Sequence, residues 1–225
     1  ASTVGTPLDF APFYSLNPMV GMSLNFHGNE MTDLVNSKTL VIWGSNPAVS
    51  QIQGMHFIME AREQGTKVIS IDPVYTATTA KCDQWIPLAP GTDGMLAIGL
   101  MKIVLEKGWQ DDEFIRSTTV APFLVKEDGE YLRLSDLGRA EVEGTYDYQG
   151  QKVTCAWTLM LDRLSEYDLE ECSKVCDVPV DVMTQLAEDI AVNKPCALYI
   201  LLGIDHYQNG FYSIYDMGCL AAMTG

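Results

Sequence analysis

Thr39-Leu40-Val41-Ile42-Trp43-Gly44-Ser45-Asn46-Pro47 is the stretch on which the fold turns. An apolar run without polar alternation suits a strand buried on both faces of a parallel sheet, because a half-exposed strand would alternate. Gly44-Ser45-Asn46-Pro47 ends it in a turn. Beyond the turn, Ile52, Met55, His56, Ile58 and Met59 recur near helical spacing as far as Gly65, a natural helix stop. Lys67-Val68-Ile69-Ser70-Ile71 is β-branched and closes on Asp72-Pro73, where proline ends the ladder. Strand, helix, strand in this span makes a βαβ unit, right-handed by default.

Working outward, Trp85-Ile86-Pro87-Leu88 leads into Pro90-Gly91-Thr92-Asp93. A wide apolar helical face then runs through Met95, Leu96, Ile98, Leu100, Met101, Val104 and Leu105 to Gly108. A short helix is expected at Asp111–Arg116, with acidic residues in its first turn. Between Phe123 and Thr154 the glycines at 129, 138, 144 and 150 separate short β-like pieces, Tyr131–Leu134 and Gly144–Tyr148. Trp157–Leu164 and Pro179–Val192 read as helices, and Ala197–Leu202 as another buried strand, ending in Gly203-Ile204-Asp205-His206. The last helix, Tyr212–Met223, carries the small residues Gly218, Ala221 and Ala222. The expected class is α/β, a Rossmann-like parallel sheet with helices on both faces plus an irregular β-containing excursion. Residues 1–35 form a lead-in, 36–118 a nucleotide-binding α/β domain, 119–154 the excursion, and 155–225 the helices and returning strand of a second α/β part.

Thirty acidic against 14 basic residues give a net charge of −16, which disfavours a nucleic-acid ligand because little cation is available to replace its counterions. The longest apolar run, Cys196–Ile204, is far too short to span a bilayer. Six cysteines (82, 155, 172, 176, 196 and 219) contain no C-x-x-C pair, so no zinc or iron–sulfur ligand set is read; Cys172 and Cys176 could share a helix face. The first residues lack an initiator Met and a signal-type segment, and the chain stops on an apolar stretch, so an internal segment of a longer protein is expected.

In open α/β sheets, ligands sit beyond the carboxyl ends of the strands, where helix N-termini offer N–H groups to anions. Three polar turns fall there: Gly44-Ser45-Asn46, Asp72, and Gly91-Thr92-Asp93. Asp72 lies near the place where dinucleotide-binding folds put a carboxylate for ribose hydroxyls. The same residues also suit ordinary structural duties. G-S-N-P is a common turn, Asp72 could be a strand-end turn carboxylate, Asp93 could cap the following helix, and no G-x-G-x-x-G or Walker motif is present.

Three motifs in order, Leu40–Pro47, Gly65–Pro73 with Thr76 and Thr79-Ala80, and Asp83–Asp93, closely resemble the molybdopterin oxidoreductases of the dimethyl sulfoxide reductase family. The likeness continues through Ala121–Val125, Leu132–Leu137 and Val178-Pro179 with the Leu186-Ala187 helix. It ends on His206, Gly210 and Met223-Thr224-Gly225. The resemblance implies that Gly44, Ser45 and Asn46 touch the phosphates and ribose of a molybdopterin guanine dinucleotide. It implies that Asp72 meets its nucleoside, and that Asp93, with Gly91 and Thr92, meets the guanine edge. A carboxylate can accept from guanine N1 and N2 together.

His206, in the loop Gly203–Gly210, is the candidate for a substrate or pterin contact, set against an ordinary hydrogen-bonded loop residue. His56 reads as packed or surface, and His27 as uninformative. The resemblance further implies a molybdenum or tungsten centre and a 4Fe-4S cluster in a part preceding this chain. It implies a small-molecule substrate and, as partner, an iron–sulfur electron-transfer subunit. The protein ligand to the metal is expected near residue 1 or upstream, with Ser2 and Thr3 weak candidates. A twin-arginine signal upstream would place the protein in the periplasm or at the membrane, its absence in the cytoplasm. The segment alone is expected to be inactive. The competing readings are a non-catalytic α/β nucleotide-binding or assembly module, and a nicotinamide dehydrogenase, which the missing glycine fingerprint disfavours.

Overall fold

A computed structural model of the chain describes Met19, residues 30–132 and residues 143–225. Its main sheet holds β1 (Thr39–Trp43), β2 (Lys67–Ile71), β3 (Gln84–Ile86) and β7 (Cys196–Ile200) in the order β3-β2-β1-β7, all pairings parallel. Val41 lies opposite Ile69 on one side and Leu198 on the other, so β1 is the middle of the register as well as of the core. All five β1 residues are fully buried, which is what their uninterrupted apolar run demands. The returning strand joins this same sheet alongside β1. It stops at Ile200, two residues before the apolar run does, although the Leu201 N–H still donates to the Trp43 carbonyl at 3.4 Å.

Side-chain alternation divides the core in two. Val41, Trp43, Ile69 and Ile71 face a large cluster with α3 (Asp93–Lys107), α7 (Val180–Ala191) and α8 (Gly210–Thr224). Leu40, Ile42 and Val68 face Ile58 of α2 (Ile52–Glu63) and the 3-10 turn Met31–Asn36. Helices therefore cover both faces of the sheet. α3 is apolar almost all round because it sits between the sheet, α7 and α8, burying Leu96, Leu100, Ile103 and Val104 completely or nearly so. Each such aliphatic side chain contributes roughly 1.5–3 kcal/mol by leaving water. Gly108 ends α3 in the left-handed conformation, φ 65°, as an αL stop.

The segment Pro47–Ser50 forms a single helical turn, α1, before α2. Asp111 caps α4 (Asp112–Thr118), its carboxylate accepting from the Phe114 N–H at 2.9 Å. α5 (Ala156–Ser165) appears where the apolar spacing places it. α6 (Leu169–Cys176) is a helix of which only the Cys172 and Cys176 spacing gave notice; Asp168 caps it through the Glu171 N–H. Cys172 is fully buried, and burial pushes its thiol up to about 11.

The excursion contains a small antiparallel sheet of β4 (Leu124–Lys126), β5 (Thr145–Tyr148) and β6 (Gln151–Cys155), order β4-β6-β5. Gln149 and Gly150, both at positive φ, form the two-residue hairpin turn between β5 and β6. The strand expected at 131–134 is not formed in its described part: Tyr131 makes one isolated bridge to Val125, and residues 133–142 lie outside the described ones. Among the described residues no helix is long and apolar enough to cross a membrane.

Candidate functional site

The parallel sheet directs the ends of β1, β2, β3 and β7 to one edge, and the four loops that leave it touch one another. Gly44 takes φ +60°, and a Cβ there would come within 2.6 Å of Ile204 Cγ1. Its carbonyl accepts from the Gly203 N–H at 3.0 Å, and a Cβ on Gly203 would collide with that same carbonyl oxygen. Gly91 takes φ +77° against the ring of Tyr207, and its carbonyl accepts from Asn209 Nδ2 at 2.9 Å. The turns after β1 and β3 are thus both clasped by the loop after β7. This is the switch point of an open α/β sheet, with α2 leaving to one face and α8 to the other.

Asn46 holds the next loop. Its Oδ1 accepts from the Thr78 N–H at 3.3 Å and from Thr78 Oγ1 at 2.8 Å, and Thr78 Oγ1 in turn accepts from the Ala48 N–H at 2.9 Å. Thr78 fixes α1 and the β2–β3 loop in one network, a duty that no local pattern around Thr78 announces. Ser45, between Gly44 and Asn46, is 5% exposed, and its Oγ has no hydrogen-bond partner among the described residues. A buried hydroxyl in that condition costs roughly 1–3 kcal/mol unless something supplies a partner.

Asp72 closes β2 with its Oδ1 accepting from the Val74 N–H at 2.9 Å, an Asx turn, while its carbonyl accepts from Trp85 Nε1 at 2.8 Å. Burial pushes its carboxyl up, and the Val74 bond pulls it partly back. Thr92 occupies the N-cap position of α3, its hydroxyl donating to the Ala89 carbonyl at 2.6 Å. Asp93 is the first residue inside that helix and is 5% exposed. Its Oδ1 accepts from Trp43 Nε1 at 2.8 Å, so the carboxylate bolts the start of α3 to the end of β1 rather than capping the helix. Burial raises its pKa, the Trp43 bond opposes that, and the charge of Asp72 adds to the rise.

His206 stands exposed on the Gly203–Asn209 loop, beside the residues that clasp Gly91. His56 is exposed on α2, and Ser2, Thr3 and His27 lie outside the described residues. An open cavity of about 510 Å³, between Met59, Arg62, Gly65, Lys67 and Asp83, is at the opposite edge of the sheet, with Arg62 and Lys67 paired to Asp83 and Asp189. It takes no part in this site.

Asp216, which carries no signal in the sequence, lies one turn below the edge. Its Oδ2 is packed against Gly94 in the first turn of α3, and burial pushes it up to about 6 from an ordinary 3.8. An acid raised in the folded state contributes most stability at low pH, where it is protonated, and loses it as pH rises through the folded value. Asp216→Asn is therefore expected to leave the thermal midpoint unchanged near pH 4 and to raise it above pH of about 6. Midpoints measured across that range check this; a constant offset at every pH would refute it.

Comparison with known proteins places this edge in a family. The family model "Molybdopterin oxidoreductase" matches residues 5–210. The chain is 28% identical over 226 residues to a putative dimethyl sulfoxide reductase catalytic subunit of Halobacterium salinarum, covering 88% of this chain and 27% of that protein. It is 28% identical over 209 residues to dimethyl sulfoxide reductase DmsA of Escherichia coli, covering 88% and 23%. Over 109 residues, 48% of this chain and 12% of the other, it is 36% identical to the alpha subunit of perchlorate reductase of Dechloromonas aromatica. Acetylene hydratase from Pelobacter acetylenicus shares the fold with a TM-score of 0.65 at 17% identity, over 96% of this chain and 25% of that one. The chain spans about a quarter of the length of the relatives that match most of it. With three motifs in register along one sheet edge and a family match running through all of them, the chain belongs to the molybdopterin oxidoreductase family.

Proposed function

We propose that this chain forms part of the catalytic subunit of a molybdenum or tungsten oxidoreductase, and that its carboxyl-edge turns hold the guanine nucleotide of molybdopterin guanine dinucleotide. The observation that carries the reading is Ser45: a buried hydroxyl without a protein partner among the described residues, set between a left-handed glycine and an anchored asparagine at the switch point. A phosphate or ribose oxygen supplies the missing partner. Gly44 lets the loop after β7 close on the turn, and Asn46, its oxygen committed to Thr78, presents its Nδ2 amide as a donor.

Asp72 has one oxygen committed to Val74 and the other to offer a ribose hydroxyl. Asp93 has one lone pair committed to Trp43; an ionised carboxylate accepts about four hydrogen bonds, so the two-point grip on guanine N1 and N2 survives. Gly91 and Thr92 set the approach of α3 to that grip. His206, exposed on the loop after β7, is the residue assigned here to a pterin or substrate contact. When bound, the metal centre of this cofactor supplies two-electron redox chemistry, usually with transfer of an oxygen atom. The residues described here bind and orient its nucleotide end. A 4Fe-4S cluster and an iron–sulfur electron-transfer subunit complete the proposed assembly, and the substrate is a small molecule.

Ser45→Ala in the full-length subunit tests the site through two readouts of opposite sign. Removing an unpartnered buried hydroxyl should raise the urea unfolding free energy of the cofactor-free protein by ~1 kcal/mol. Removing the partner of a ligand oxygen should weaken GDP binding, read by calorimetry, roughly tenfold. Loss of stability with unchanged GDP affinity would sink the proposal.

A further inference from the structure

α8 is apolar on two sides, and the core occupies only one of them. Ile214, Met217, Leu220 and Met223 on its inner face are buried in the large cluster with α3. Its outer stripe, repeating at helical spacing, is Phe211, Tyr215, Gly218 and Ala222. Phe211 and Tyr215 are 37% and 44% exposed and stack on each other, their planes 17° apart. Asp216 is the one charged side chain on the helix. A helix that is apolar all round belongs inside a protein, and an exposed apolar stripe marks a surface that something covers.

Gly218 points to the occupant. A Cβ there would come within 2.9 Å of Met19 Sδ and 3.0 Å of Met19 Cε, so a methionine from the segment before β1 already sits where a side chain would stand. Residues 10–29, on either side of Met19, contain no Asp, Glu, Lys or Arg, and include Phe10, Phe13, Tyr14, Leu16 and Phe26. In a chain of net charge −16, an uncharged stretch rich in large apolar residues gains by leaving water and suits a surface equally free of charge.

We infer that residues 10–29 dock along the outer stripe of α8, with Met19 in the notch at Gly218 and the rest of the segment covering Phe211 and Tyr215. The inference is independent of the nucleotide reading. A second copy of the chain, or a partner subunit, lying along the same stripe would have to displace Met19 from the notch. Docking ties the segment before β1 to the helix that leaves the loop clasping Gly91.

The test is hydroxyl-radical footprinting of the full-length subunit, read by mass spectrometry at single side chains, in the unmutated protein and in Met19→Asp and Gly218→Leu. Tyr146 on β5, 39% exposed, is the reference for an open ring. Tyr215 in the unmutated protein should oxidise several-fold more slowly than Tyr146, and each variant should raise oxidation of Tyr215 and Phe211 by a similar factor. Met217, on the inner face, should stay protected and so report that α8 keeps its place. Where Gly218→Leu loosens Met217, Met19→Asp, which adds no atom to α8, decides. Tyr215 as reactive as Tyr146 in the unmutated protein would leave the stripe bare and refute the docking. A protected Tyr215 that neither variant opens would assign the cover to another part of the subunit and overturn residues 10–29 as the occupant.

Discussion

Gly203→Ala is expected to lower the unfolding free energy by ~1–3 kcal/mol, the range for forcing an extra methyl into a packed site, and to strip the full-length protein of guanine nucleotide. The new Cβ would fall on the Gly44 carbonyl oxygen, which the Gly203 N–H already holds at 3.0 Å. Both sides of that contact are backbone, so no rotamer change relieves it. The β7 loop and the β1 turn have to separate, and with them Ile204 leaves Gly44. The damage therefore reaches the Ser45 and Asn46 turn as well as the stability. Gly65→Ala is the matched control: it carries the strain of φ +105° but meets no atom within 4 Å and is remote from the edge. Denaturant unfolding and guanine released from purified protein, compared for the two variants, should show both losing stability and only Gly203→Ala losing nucleotide. Equal nucleotide content would refute the coupling.

The second large effect is expected at Asp93. Asp93→Ala leaves the buried Trp43 indole N–H without its acceptor, a cost of about 1–3 kcal/mol, and removes the acid from the first turn of α3, where the helix dipole favours it. Guanine binding should fall with it. Asp93→Asn separates the two duties. Its amide oxygen still accepts from Trp43 Nε1, so stability should recover to near that of the unmutated protein. The charge is gone and an NH2 group replaces one acceptor, so GDP affinity should stay low. Thermal unfolding and GDP titration of the pair decide it. An asparagine variant that binds GDP normally would reduce Asp93 to a bolt between β1 and α3.

Much of this was legible in the chain because period and punctuation agree. The runs at 39–43 and 67–71 are β-branched or aromatic, bounded by glycine, aspartate and proline, and they pair in parallel as their shared apolarity requires. α3 was legible because its apolar face is wide and Gly108 stops it. α6 was not, because Leu169-Glu170-Glu171-Cys172-Ser173-Lys174 offers few large apolar residues; it is held by an Asp168 cap and by Cys172 and Leu169 packed where α3 has Gly99. The β5–β6 hairpin was read only in its first half, since Gln149 at positive φ is no usual turn signal.

At the site, the sequence names the residues of each turn but not the contacts that bind turn to turn. Trp43 to Asp93, Asn46 to Thr78 and Gly91 to Asn209 join residues that only the closed sheet brings together. Spacing along one segment carries no record of such partners. The tertiary duty of Asp93, unlike the turn that carries it, is invisible until β2 joins β1 and β3 in one sheet.

The pairing of β7 with β1 also guards an edge. Half of the ligand edge lies on residues 44–93 and the clasp that holds it lies on 203–209. Without Cys196–Ile200 docked, β1 is an unguarded rim, four apolar residues and Thr39 with open ladder groups on that side. The turns after β1 and β3 gain their clasp only when the loop after β7 is in place, so the carboxyl edge is complete only in the closed sheet.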